Sequence, residues 1–158
     1  MSDTGKLPVI VLGAGGHASV LVDILLGNER EILAIVSPEQ YPDREMLSGI
    51  KHLTSDEGVL EYSTDEILLV NGIGMLPGSS LRHEVHERFL SRGYKFETIV
   101  SKESIVSKYA QLEPGVQVLP GAIVNAGSSI GRNTILNSGS VIEHDCIIGA
   151  SNHIAPRA

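Results

Sequence analysis

A small α/β domain followed by a parallel β-helix is the architecture this sequence predicts, and three observations predict it. Short apolar runs alternate with helix-periodic segments over the first hundred residues. A glycine-rich loop, Gly13-Ala14-Gly15-Gly16, joins the first run to the first helical segment. From residue 105 onward an aliphatic residue recurs every six positions, a period that neither a helix nor a flat strand has. The composition changes near residue 100, which divides the chain into domains 1–100 and 101–158.

In the first domain, Pro8 to Leu12 is a continuous apolar run, read as a buried strand, and it stops at the glycines. Ala18, Val20, Leu21, Ile24 and Leu25 then recur with helical spacing. A second strand over Ile32 to Val36 ends at Ser37-Pro38, and a third over Ile67 to Val70 ends at Asn71-Gly72-Ile73-Gly74. A helix from about Ser80 to Arg92 and a strand from about Lys95 to Val100 complete the segment. Strands alternating with helices imply a mostly parallel sheet covered by helices.

The loop and the start of its helix, Gly13-Ala14-Gly15-Gly16-His17-Ala18, fit G-x-G-x-x-A, in which glycines let backbone N–H groups approach a phosphate at a helix N-terminus. A dinucleotide site also wants an acid at the end of the second strand to hold a ribose hydroxyl. That position reads Ser37-Pro38, and the nearest acid is Glu39. The diphosphate of a nucleotide sugar is therefore favoured over NAD, with a tight turn that binds nothing as the competing reading. His17, on the first turn, either contacts the ligand or caps the loop. His83 and His86 are three apart where a zincin helix needs four, and are read as a solvated helix face. His52, beside Lys51, is read as a loop residue without recognisable chemistry.

In the second domain the repeating aliphatics are Val106, Leu112, Val118, Val124, Ile130, Leu136, Ile142, Ile148 and Ile154. Three positions after each stands a residue that is often glycine, as at Gly115, Gly121, Gly127 and Gly139. One buried aliphatic and one tight corner per hexad mark a parallel β-helix with three short sides per coil. A narrow prism filled by aliphatic side chains has no internal pocket, so ligands bind outside it. Solenoids of this kind gain outer clefts by packing side by side, which points to a symmetric oligomer, with a trimer expected.

Composition removes several classes of function. A net charge of −7, from 12 Lys plus Arg against 19 Asp plus Glu, with no basic run and few aromatics, argues against nucleic acid as a partner. No apolar run approaches the roughly 18 residues of a membrane span, and the N-terminal Met-Ser-Asp-Thr-Gly-Lys lacks a leader layout, so the cytoplasm is the expected location. The single cysteine, Cys146, forms no internal disulfide; without a Cys or His ligand pattern around it no metal site is expected, and it reads as a small core residue.

Val11-Leu12-Gly13-Ala14-Gly15-Gly16-His17-Ala18, the hexads, and Val141-Ile142-Glu143-His144-Asp145-Cys146-Ile147-Ile148-Gly149 together resemble the bacterial sialic acid O-acetyltransferase and nucleotide-aminosugar N-acetyltransferase family, the NeuD/PglD type. The resemblance covers the whole chain. It implies a Rossmann-like sugar-nucleotide domain, a left-handed β-helix, a homotrimer and acetyl-CoA as co-substrate. It also implies roles for matching residues. His144 is similar to the family's general base, and Asp145 to the carboxylate that orients it. His153 resembles the histidine that meets the acetyl group of acetyl-CoA, and Asn137 the asparagine beside the acceptor. Gly13, Gly15, Gly16 and His17 match the nucleotide-sugar loop.

Chemistry supports the base independently. Acetyl transfer from a thioester needs a neutral nucleophile, so a sugar ammonium or hydroxyl must lose a proton to a group with a pKa near 7, for which histidine is suited. Direct attack is preferred to an acyl-enzyme, because Cys146 should point into the prism. In two respects the sequence departs from the family: the hexads stop at Ala158 with further coils expected, and Ser37-Pro38 stands where acids reading the nucleotide are expected. The acceptor is thus either a nucleotide-activated amino sugar or a sialic-acid-like sugar. The alternative function is that of a truncated, non-catalytic sugar-nucleotide-binding or assembly subunit.

Overall fold

A computed structural model describes residues 6–40 and 44–158. The segment 1–6, read above for its lack of a leader layout, lies outside the described residues except for Lys6. The chain forms two compact units that meet in sequence at Phe96 and Glu97.

The first unit is an α/β layer structure. Its strands β1 (Val9–Leu12), β2 (Ile32–Val36), β3 (Lys51–Leu53) and β4 (Leu68–Asn71) form one parallel sheet in the order β3-β2-β1-β4. β1 is central and completely buried, which is why it reads as an unbroken apolar run rather than an alternating one. Helix α1 (Gly16–Gly27) packs on β1 and buries Ala18, Leu21, Val22 and Leu25. Ile10, Leu12, Val36 and Leu69 belong to a second cluster with Val85 and Phe89 of helix α2 (Leu81–Leu90). Most of the predicted elements are present, and β2 has the predicted bounds.

Three local expectations are corrected. Lys51–Leu53, read as loop, is the edge strand β3, and His52 hydrogen-bonds through Nε2 to the Ser37 carbonyl at 2.8 Å, fastening the end of β2. His86 is not on a solvated face: it is 2% exposed and stacks on Phe96 with ring centroids 4.3 Å apart. The inward face of α2 is Arg82, Val85, His86 and Phe89, a regular i, i+3, i+4, i+7 set in which two members are polar. The strand expected over Lys95 to Val100 is split. Its start joins the first sheet through the Lys95 carbonyl, which accepts from Leu69 N–H at 2.9 Å, and a bridge at Phe96. Its end is strand β5 (Ile99–Val100), the first side of the second unit.

The second unit is a left-handed parallel β-helix whose repeat begins one hexad earlier than the sequence reading, at Val100. After β5 come nine two-residue strands: β6 (Ile105–Val106), β7 (Gln111–Leu112), β8 (Gln117–Val118), β9 (Ile123–Val124), β10 (Ser129–Ile130), β11 (Ile135–Leu136), β12 (Val141–Ile142), β13 (Ile147–Ile148) and β14 (His153–Ile154). They stack as three sheets, β5-β8-β11-β14, β6-β9-β12 and β7-β10-β13. Partners are one coil apart in sequence, as in Ile135 with His153 and Leu136 with Ile154. The second residue of each strand points inward, and Val118, Val124, Ile130, Leu136 and Ile142 form the core. Cys146 packs against this cluster, as expected of a small apolar residue.

The corners explain the glycines. Gly115, Gly121, Gly127 and Gly139 all have φ between 70 and 79°, the left-handed region that costs other residues roughly 1–2 kcal/mol. Asn133, Asp145, Ser151 and Arg157 occupy equivalent corners with φ between 56 and 59°. Asn and Asp tolerate this region better than most side chains.

Truncation of the completely buried Leu136 to Ala should lower the unfolding free energy by about 2–5 kcal/mol, because an aliphatic prism collapses poorly around a void. Ile147→Ala, at a side chain 85% exposed, should change it by less than about 0.5 kcal/mol. Urea denaturation of the two variants makes the comparison; equal losses would contradict the inward-outward assignment.

Candidate active site

The glycine loop leaves β1 at its C-terminal end. Gly13 has φ 97°, and a Cβ there would stand 3.3 Å from the Gly72 backbone. Gly72 itself admits no side chain, since a Cβ would lie 2.7 Å from the Leu12 carbonyl oxygen and 2.9 Å from Ala18 Cβ. The two loops after β1 and β4 therefore close on each other. Gly15 and Gly16 face open space at the start of α1, where no side chain caps the helix and no acid occupies the first turn. Such a terminus presents backbone N–H groups and positive dipole to an anion. His17 follows them, half-buried, with its Cβ lying against Gly74.

Asn71 and Arg82, neither identified from sequence, hold the second loop. Arg82 Nη1 donates to the carbonyls of Asn71 (2.9 Å) and Ile73 (2.6 Å), and Asn71 Nδ2 donates to the Arg82 carbonyl (3.0 Å). Arg82 is 1% exposed, and burial pushes its guanidinium pKa down to about 9, so the charge persists at neutral pH. The signal for Arg82 was its place in the helical period with Val85, His86 and Phe89. Beside Gly13 a cavity of about 440 Å³ opens, walled by Leu12, Val36, Pro38 and Ile73, with the Arg88–Asp56 ion pair among its lining residues. Its position outside the carboxyl ends of parallel strands is where such sheets bind ligands.

In the β-helix the sequence-predicted residues form two pairs. His144 and Asp145 occupy the corner between β12 and β13. Asp145 Oδ2 is 2.8 Å from His144 Nδ1. A carboxylate only accepts, so Nδ1 carries the hydrogen and Nε2 presents its lone pair outward. That hydrogen bond, together with the Asp145 charge, raises the His144 pKa above its ordinary 6.5. A group whose pKa is higher folded than unfolded adds stability below the unfolded value and loses it as pH rises through the folded one. The two side chains are 75% and 78% exposed.

Asn137 and His153 form the second pair. Asn137 Oδ1 accepts from Ser138 N–H at 2.8 Å, which turns Nδ2 toward His153 Nε2 at 3.0 Å. An amide NH₂ only donates, so Nε2 is the unprotonated nitrogen of His153 and Nδ1 bears the hydrogen. Asn137 follows β11 and His153 opens β14, on the sheet that does not include β12 or β13. The two pairs thus stand at different places around the prism, and no hydrogen bond joins them among those described. Among the described residues, no group of three or more His, Cys, Asp or Glu side chains is placed to hold a metal ion, and no helix is long and apolar enough to cross a membrane.

The glycine loop, α1 and the Asn71-to-Gly74 turn all fall within residues 8–89, which match the model of the PglD N-terminal domain. The chain belongs to the PglD N-terminal domain family. Solved structures extend the likeness into the β-helix. The acetyltransferase domain of PglB from Neisseria gonorrhoeae, in complex with acetyl coenzyme A, is 23% identical with a TM-score of 0.84, over 96% of this chain and 72% of that one. PerB from Caulobacter crescentus, in complex with CoA and GDP-perosamine, is 29% identical with a TM-score of 0.81, over 94% and 69%. WeeI from Acinetobacter baumannii is 17% identical with a TM-score of 0.73, over 94% and 74%. The first and third of these likenesses show the fold, a PglD-type α/β domain with a hexapeptide β-helix.

Replacing Asn137 with Asp keeps the acceptor for Ser138 N–H and turns the other position toward His153 into an acceptor. His153 Nε2 should then gain the hydrogen. Imidazole ¹⁵N shifts read this directly: Nε2 unprotonated in the wild type and protonated in Asn137→Asp. A wild type protonated at Nε2 would refute the pairing.

Proposed function

We propose that the protein is an acetyl-CoA-dependent acetyltransferase acting on a nucleotide-activated amino sugar, with His144 as general base. The observation that carries this reading is the His144–Asp145 hydrogen bond on a hexapeptide β-helix attached to a PglD-type domain. The 29% identity to PerB, whose structure holds CoA and GDP-perosamine, favours the nucleotide-linked amino sugar over a free sialic acid.

The first unit would hold the nucleotide part. Backbone N–H groups at Gly15 and Gly16 are suited to the diphosphate, and the cavity beside Gly13 is suited to an apolar-walled ring. In the second unit, His144 Nε2 accepts the proton from the attacking sugar nitrogen as that nitrogen bonds to the thioester carbonyl carbon. Asp145 holds the imidazolium that forms. His153, fixed as the Nδ1–H tautomer, is a donor suited to the oxygen on which negative charge develops. The His144 proton then leaves with the thiolate of CoA, which balances the transfer. A base so placed contributes on the order of 10²–10⁴ in rate.

The same reading includes a homotrimer and a cytoplasmic location. One prism places the two pairs at different positions around its section, whereas a second copy alongside can bring the Asn137–His153 pair of one to the His144 corner of the next. The outer column Ile105, Ile123 and Val141 on the β6-β9-β12 sheet supports such packing: Ile105 is 66% and Val141 43% exposed.

Thiol release from acetyl-CoA, with a panel of nucleotide amino sugars and sialic acids, tests the activity. Turnover should occur on a nucleotide amino sugar, and His144→Ala should lose at least about 10²-fold of it. Because the base acts only when neutral, the acid limb of the pH profile should lie above 6.5 and move to lower pH in Asp145→Gly, which removes the carboxylate but keeps the corner. Wild-type turnover in His144→Ala would refute the mechanism. For assembly, light scattering should give three times the 16.9 kDa chain mass, and Ile105→Lys with Val141→Lys should give monomer. A wild-type monomer would exclude the shared site.

A further inference from the structure

The corner that carries His144 and Asp145 is moulded by the coil below it. Asp145 has φ 59° and stacks on Gly127, the same corner one turn of the solenoid earlier. The backbone N–H of Asp145 donates to the Ala126 carbonyl at 3.0 Å. The buried Ser128 hydroxyl donates to the Glu143 carbonyl at 2.7 Å and accepts from Cys146 N–H at 3.3 Å, so one side chain holds both ends of the turn. Ala126-Gly127-Ser128 is thus a template for the turn above.

At the centre of that template there is no room for a side chain. A Cβ on Gly127 would lie 2.2 Å from Asp145 Oδ1 and 3.3 Å from its Cγ. The carboxylate occupies the volume that any other residue at 127 would fill. The next corner lacks this arrangement: a Cβ on Gly121 would meet only the Gly139 backbone, at 3.6 and 3.7 Å, an ordinary contact. Gly127 and Gly121 have nearly the same φ, 78 and 74°, so a side chain incurs the same backbone strain at either and the collision at one alone.

We propose that Gly127 is a positioning residue for the His144–Asp145 pair, its bare Cα leaving the space in which the Asp145 carboxylate lies against the imidazole. The catalytic consequence rests on the reading of His144 as the base, whereas the geometry does not. A carboxylate is rigid. Moving Oδ1 off a Cβ at 127 moves Oδ2 as well, and Oδ2 makes the 2.8 Å bond to Nδ1. The clashing atom is the tip of a side chain, so the coil survives while the pair separates. Among the described residues, the charged group that acts on His144 besides Asp145 is Glu143, whose carboxylate accepts from Asn125 Nδ2 at 3.2 Å and is left in place.

The test is an NMR titration of His144 in the 158-residue chain, for the wild type, Gly127→Ala, Gly121→Ala and Asp145→Gly. The Gly127→Ala midpoint should fall to that of Asp145→Gly, and the Gly121→Ala midpoint should stay at the wild-type value. Thermal midpoints of the two alanine variants should fall together. A wild-type titration in Gly127→Ala, an equal fall in Gly121→Ala, or failure of Gly127→Ala to fold where Gly121→Ala folds would each overturn the proposal. Acetyl-transfer rates separate the two readings. If the Gly127→Ala titration moves and its turnover does not, the positioning stands and the assignment of His144 as base fails.

Discussion

The coil register of the β-helix is the constraint on which the rest of the second unit depends. Each two-residue strand is too short to stand alone and is held by parallel hydrogen bonds to the strands one coil away. That pairing fixes which residues lie above one another. It puts His153 over Ile135, beside Asn137, and Asp145 over Gly127. A single inserted residue would move every later side chain out of its column, so the Asn137–His153 pair and the seating of Asp145 on Gly127 depend on an unbroken six-residue period. The site is a consequence of register before it is a consequence of side-chain chemistry.

The same register explains why polar residues are tolerated inside the solenoid. An inward position follows each corner, and at two of these a hydroxyl satisfies the backbone of the coil above. Ser128 does so for Glu143 and Cys146, and Thr134 for Gly149 and Asn152. Both are completely buried, where an unpaired hydroxyl would cost about 1–3 kcal/mol. Their partners are backbone groups that the turn itself leaves without ladder bonds. The equivalent positions Val116 and Ala122 instead join the apolar core, so polar closure is added where the sequence puts a hydroxyl.

How much of this was legible in the sequence follows from the range of the interactions. The hexads are a local period repeated many times, so the β-helix and its αL corners could be read from spacing. The Gly13 loop and β1 were legible because a buried central strand is uniformly apolar. β3 was not: three residues at a sheet edge, Lys51, His52 and Leu53, carry no period, and their pairing with β2 is decided by tertiary contact. Lys95 to Val100 looks like one strand because sequence cannot say that its two ends serve different sheets. His86 was misread because it was weighed with His83 as a metal ligand rather than as a member of the inward face with Val85 and Phe89. His144, Asp145, Asn137 and His153 could be named from sequence as candidates, though not their pairing across coils, and Gly127 was not separable from Gly121, since only stacking distinguishes one tight corner from the other.

The exposure of the His144–Asp145 pair bears on what surrounds it during the reaction. Facing bulk water, a histidine and a carboxylate interact weakly, because a dielectric near 80 leaves roughly 1 kcal/mol at 4 Å, and electrostatic preorganisation has its large effects only where water is excluded. Both side chains are more than 70% exposed in the single chain. A base in that setting gains its tautomer and orientation from Asp145 but little of the environment in which a developing charge is strongly stabilised. The proposed acetyl transfer therefore requires cover over this corner from the bound substrates, from a neighbouring copy, or from both. The exposed aliphatic column on the adjoining sheet gives a neighbouring prism a reason to lie there, which is why assembly and catalysis belong to one proposal.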